Sequence, residues 1–169
     1  DPLIGGVFYI QEMEKILADM YKVNGVRVTE DSLNKAIHLY NINRKLIEEI
    51  YNIRQEFPWR LSAVETYCIL RAGIVMPVEE HNEILKQVLD HIQSERGEPM
   101  DNIRVVITGS FCEQPPIGVI KSIEMAGCYI VDDDFMLGSR WIIGDVEEGT
   151  DTPLEALTSA YINQSQFSS

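Results

Sequence analysis

IRVVITGSFCEQPPIGVIKSIEMAGCYIVDDD, residues 103–134, holds two short β-branched runs separated by one helical stretch. Ile103 to Thr108 has the continuous apolar character of a strand buried on both faces. Ile117, Ile120, Ile123 and Glu124 then recur at helical spacing, and Gly127 closes that helix. Cys128 to Val131 is the second strand. Strand, helix and strand in this order form a βαβ unit, in which the two strands run parallel through a crossover. In open α/β sheets the ligand site lies beyond the carboxyl ends of the strands. The loop GSFCEQPP, residues 109–116, and the acidic run Asp132-Asp133-Asp134 both fall on that edge.

Upstream, the pattern is helical. Ile10, Met13, Ile16, Leu17 and Met20 form one stripe, which VNGVRV interrupts at residues 23–28. Leu33, Ala36, Ile37, Tyr40, Ile47, Ile50 and Tyr51 form a second, along a helix from Glu30 to Phe57 of about 40 Å that Pro58 stops. Ser62-Ala63-Val64-Glu65 has the form of a capping box opening a short helix, with Gly73 as its stop. Pro77 fits the first turn of the next helix, whose apolar face is Ile84, Leu85, Val88, Leu89 and Ile92. Residues 95–99, ERGEP, read as a hinge. Thr152-Pro153-Leu154-Glu155 starts a last helix. The expected fold class is therefore α/β: a Rossmann-like, three-layer lobe with a parallel sheet over residues 99–169. A helical hairpin or bundle segment over residues 1–98 precedes it.

Composition narrows the function classes. The 169 residues carry 27 acidic and 14 basic side chains, a formal charge of −13. That balance argues against a nucleic-acid partner, whose phosphates are held by Lys and Arg. No apolar run is long enough to span a membrane, and DPLIGGVFYI lacks the basic region of a signal peptide. The absence of an initiating Met and the polar QSQFSS end suggest a piece of a longer chain. Cys68, Cys112 and Cys128 are odd in number, widely spaced and without a CxxC, so a disulfide framework or autonomous zinc site is not indicated. A reducing, cytoplasmic setting follows.

Cys112 is the sharpest chemical candidate, since a thiolate before a helix start binds metal or attacks carbon. A small buried residue explains it equally well. Core packing is the expectation for Cys68 and Cys128. Glu113 and Gln114 suit ligand contact or capping of the next helix. The three aspartates suggest a hard cation. Strand alternation forbids all three facing one way, so loop capping and pairing with Arg140 compete with a metal. His38, His81 and His91 lack HExxH spacing, and neither GxGxxG nor a P-loop occurs.

Residues 105–145, with FCEQPP, AGCYIVDDDF, Arg140-Trp141 and Gly144-Asp145, resemble the family of 2-hydroxyacyl-CoA dehydratases and ATP-dependent benzoyl-CoA reductases. The segment Pro58-Trp59-Arg60-Leu61-Ser62 is compatible with it. The resemblance implies paired homologous subunits holding [4Fe–4S] clusters, served by an ATP-hydrolysing iron–sulfur activator and acting on an acyl-CoA. It implies that Cys112 is a cluster ligand in the intact subunit and that Glu113 and Gln114 are substrate-side residues. With one well-placed thiol, the chain alone is expected to hold no cluster and to be inactive. Met136 stands where some dehydratase relatives have a cysteine, which favours reduction of an aryl-CoA ring over dehydration. A dehydratase subunit and a non-catalytic scaffold are the alternatives.

Overall fold

The computed structural model describes residues 2–94, 97–109, 115–135, 142 and 144–165. Four helices come first: α1 (Pro2–Asn24), α2 (Glu30–Glu56), α3 (Ala63–Val75) and α4 (Val78–Ser94). Then follow β1 (Ile103–Ile107), α5 (Ile117–Met125), β2 (Cys128–Asp133) and α6 (Pro153–Ser165). The strands pair in parallel. The architecture is thus an α/β, Rossmann-like lobe with a helical segment before it, as the sequence predicts.

Local signals explain the boundaries. Gly25, at φ 69°, adopts the left-handed conformation that ends α1, and its N–H donates to the Tyr21 carbonyl at 2.8 Å. Thr29 and Ser32 cap α2 reciprocally, each accepting the other's backbone N–H on its hydroxyl. The capping box at α3 is complete: Ser62 N–H donates to Glu65 Oε2 at 2.9 Å, and Glu65 N–H to Ser62 Oγ at 3.2 Å.

The chain divides into two compact units, residues 1–41 with 144–169 and residues 42–143. The change of sequence character near residue 100 falls inside the second. In that unit α2, α3 and α4 enclose Ile47, Ile50, Tyr51, Leu61, Leu70, Leu85, Leu89 and Ile92. A further cluster, Ala63, Tyr67, Ile120 and Ile130, joins α3 to α5 and the strands. Glu124 of α5 reinforces this joint, its Oε1 accepting the Ala63 N–H at the start of α3 at 2.6 Å. In the first unit α1 meets α6, with Tyr9 and Tyr161 stacked at 4.5 Å, and Ile37, Val146 and Ala156 form a small core.

Three expectations change. Gly73 does not end α3 but lies within it. A Cβ there would stand 2.5 Å from the His81 ring, so the glycine is what lets α4's His81 approach. That ring is fixed by the Ile69 carbonyl at 3.0 Å and the Asn43 amide at 2.8 Å. Cys68, expected in the core, is exposed, because α3 turns Tyr67 and Leu70 inward instead. Strand β1 is not buried on both faces, with Ile103 69% and Val106 58% exposed. Among the described residues the sheet has two strands, and its apolar packing is against α3 and α5.

Candidate functional site

The carboxyl ends of β1 and β2 are built by the three aspartates, and a bulge gives each a separate task. Val105 pairs with Ile130 but Val106 pairs with Asp132, which leaves Val131 as an extra residue on β2. An extra residue re-aims the side chains that follow it. Strict alternation from the buried Ile130 would send Asp132 to the core face. The burial instead falls on Asp133, three residues on.

Asp133 reaches α2. Its Oδ2 accepts from the Arg54 guanidinium at 2.6 Å and its Oδ1 from the Tyr51 hydroxyl at 3.1 Å and the Phe135 N–H at 3.2 Å. Both partners of the ion pair have side chains only 2% exposed. Arg54 also lies over the Tyr51 ring, 4.5 Å from its centroid, a cation–π contact that offsets part of the cost of burying the guanidinium. Burial first, and then the Asp133 carboxylate, push the Tyr51 hydroxyl well above the usual tyrosine range, with Arg54 opposing. Tyr51 is therefore a neutral donor across the physiological range. A cavity of about 10 Å³, room for roughly one water, lies among Tyr51, Arg54, Ala63, Tyr67, Leu70 and Asp133. It is too small for an organic substrate.

Asp134 binds the end of β1 instead. Its N–H donates to the Ile107 carbonyl at 3.2 Å, and its Oδ1 accepts the Gly109 N–H at 3.0 Å. Asp132 Oδ1 accepts the Asp133 N–H at 2.9 Å. The loop-capping role is therefore present, on Asp134, and the buried cationic partner of the cluster is Arg54. Met136 and Arg140 lie outside the described residues. The acidic run contributes to no group of three or more metal-ligating side chains among the described residues, so the hard-cation reading gains no support.

Cys112, Glu113 and Gln114 lie outside the described residues, between Gly109 and Pro115. Cys128 opens β2, so it sits at the opposite end of the strand from Asp133, roughly 16 Å away along an extended chain. It is half-buried, short of the full core packing expected for it. Arg54 and Tyr51 are the site residues that sequence reading missed. Their signal was nonetheless present: 47, 50, 51 and 54 share one helical face, and an arginine on a core face demands a buried partner.

In the first unit a second polar joint ties α2's start to residues 146–150. Asn41 Nδ2 donates to the Val146 carbonyl and to Glu148 Oε1, both at 2.7 Å, and Asn41 Oδ1 accepts the Val146 N–H at 3.0 Å. His38 Nδ1 pairs with Glu148 Oε2 at 2.7 Å.

Among the described residues, the parallel βαβ unit with carboxylates at its carboxyl edge defines an α/β, Rossmann-like class. The family model for the 2-hydroxyglutaryl-CoA dehydratase D-component matches residues 6–169, and the chain belongs to that family. It is 41% identical over 162 residues to a subunit of the benzoyl-CoA reductase of Thauera aromatica, covering 96% of this chain and 42% of that protein. It is 29% identical over 155 residues to the beta subunit of the lactoyl-CoA dehydratase of Anaerotignum propionicum, covering 91% and 41%. It is 24% identical over 160 residues to the (R)-phenyllactyl-CoA dehydratase beta subunit of Clostridium sporogenes, covering 95% and 42%. The chain spans about two fifths of the length of these relatives.

Proposed function

We propose that this chain is part of an iron–sulfur catalytic subunit of an ATP-dependent benzoyl-CoA reductase, which reduces the aromatic ring of an aryl-CoA with low-potential electrons. The observation that carries this reading is the 41% identity, over nearly the whole chain, to a protein named as a benzoyl-CoA reductase subunit. The named dehydratase subunits stand lower, at 29% and 24%. The residue at the Met136 position favours the same branch.

In this reading the intact subunit works beside a second homologous subunit, in the cytoplasm. An ATP-hydrolysing iron–sulfur activator feeds the pair. Among the described residues no helix is long and apolar enough to cross a membrane. A [4Fe–4S] cluster takes four ligands, mainly thiolates, and would supply single electrons at low potential. Cys68 is exposed on α3 and Cys128 lies at the far end of β2. The one cluster thiolate assigned to this chain is Cys112, as the family resemblance implies, with the other ligands coming from outside it. Glu113 and Gln114 are assigned to the substrate side of the same loop.

Two measurements on the intact complex test the reading. The first assays benzoyl-CoA reduction against dehydration of a 2-hydroxyacyl-CoA; turnover of only the latter moves the protein to the dehydratase branch. That branch is the second reading, favoured by the family model's own description. The second measurement is iron content after Cys112→Ser. A lowered cluster occupancy is expected, and unchanged iron would remove Cys112 from the ligand set. A complex with no paramagnetic cluster signal on reduction would leave only a scaffold role.

A further inference from the structure

The small cavity beside the Arg54–Asp133 pair is surrounded by hydrogen-bonding groups that the protein itself does not use up. Arg54 Nη2 donates to Asp133, but the Arg54 Nε–H is buried and has no acceptor among the described residues. Two tyrosines line the same cavity. The Tyr67 oxygen accepts from Arg71 Nη1 at 3.2 Å, and no described residue accepts the Tyr67 hydroxyl proton. The Tyr51 hydroxyl donates to Asp133. A phenol both donates and accepts, so the Tyr51 oxygen can still accept. Two donors and one acceptor thus belong to buried residues around one void.

Charge and size select the occupant. The guanidinium of Arg54 and the carboxylate of Asp133 are paired in the wall, so their charges cancel and neither a cation nor an anion is called for. A void of about 10 Å³ admits one molecule of the size of water. Buried waters are held by roughly two to four polar partners. Leaving the N–H of a charged side chain unbonded in the interior costs more than immobilising one water. We propose that this cavity is the binding site of one ordered water, which accepts from Arg54 Nε and the Tyr67 hydroxyl and donates to the Tyr51 oxygen. The water extends the lock between α2 and β2 to α3, through Tyr67. Nothing in the proposal depends on the choice between reductase and dehydratase.

The test is the ordered solvent in a high-resolution crystal structure of the intact complex. A solvent peak is expected in this cavity, about 2.6–3.2 Å from Arg54 Nε, the Tyr67 hydroxyl and the Tyr51 oxygen. A cavity without a peak would overturn the proposal, as would an Arg54 Nε bonded directly to a protein group or a peak beyond its reach. Two variants then assign the partners. Arg54→Lys keeps a cation for Asp133 but has no N–H at the Nε position. Loss of the peak is expected, and a peak of unchanged strength would remove Arg54 as its donor. Tyr67→Phe keeps the ring and deletes the hydroxyl. The peak is expected to weaken, and an unchanged peak would overturn the three-partner site. Should either variant fail to fold, the wild-type density still decides.

Discussion

Each unit of this chain has a polar joint between α2 and a distant segment, and these two joints differ mainly in their access to water. In the second unit the Arg54–Asp133 pair is closed off, with 2% of each side chain exposed. In the first unit, Asn41 is buried but the His38–Glu148 contact attached to it is not: His38 is 58% and Glu148 39% exposed. Exposed polar pairs contribute little, because water already solvates both partners. A buried pair gives up that solvation and leans on its partner charge and the hydrogen bonds around it, so its members are interdependent. The difference teaches that the second joint holds its shape through charge, and the first through a neutral amide that bridges backbone groups.

The largest expected effect tests the closed joint. Arg54→Ala leaves Asp133 buried without its cation and is expected to cost about 3–5 kcal/mol in urea denaturation. A loss near that of an exposed pair would mean that water reaches Asp133. Next comes the amide. Asn41→Ala removes the partners of both the Val146 N–H and its carbonyl. It is expected to cost about 1–3 kcal/mol, with faster exchange of the Val146 amide, while the Ile107 and Gly109 region keeps its protection. Coupled loss in both regions would break the description of two separate joints.

The smallest effect concerns Tyr51, whose deletion to Phe costs about 0.5–1.5 kcal/mol near neutral pH but also changes the alkaline limb. Its hydroxyl is held protonated in the folded state beyond the usual tyrosine value of 10.0. The unfolded chain therefore releases the proton first, and stability falls as pH rises above about 10. Tyr51→Phe is expected to flatten that decline, as followed by circular dichroism between pH 9 and about 11. An identical slope in the variant would show that Tyr51 is not the group that titrates.

Much of this was legible beforehand, and the reasons are local. The end of α2 near Pro58, the capping box at Ser62 and the positive φ of Gly127 follow from residue chemistry within a few positions. The parallel pair follows from the apolar runs on either side of α5. Gly73 misled for a physical reason. A glycine reads the same whether it ends a helix or makes room for a neighbour, and only the arrival of His81 from α4 distinguishes the two. Cys68 misled because an apolar neighbourhood in sequence does not say which side of a helix is covered.

The acidic run shows the limit most sharply. From the amino acids alone come the expectations that residues 103–134 form strand, helix and strand, that FCEQPP and DDD share the carboxyl edge, and that three neighbouring carboxylates cannot all face one way. Which aspartate goes where was decided only by tertiary structure. The bulge at Val131 shifts the pleat by one residue, so that Asp133 rather than Asp132 turns towards the core. It is tolerated there because Arg54 and Tyr51, some eighty positions earlier, supply the charge and hydrogen bonds that a buried carboxylate requires.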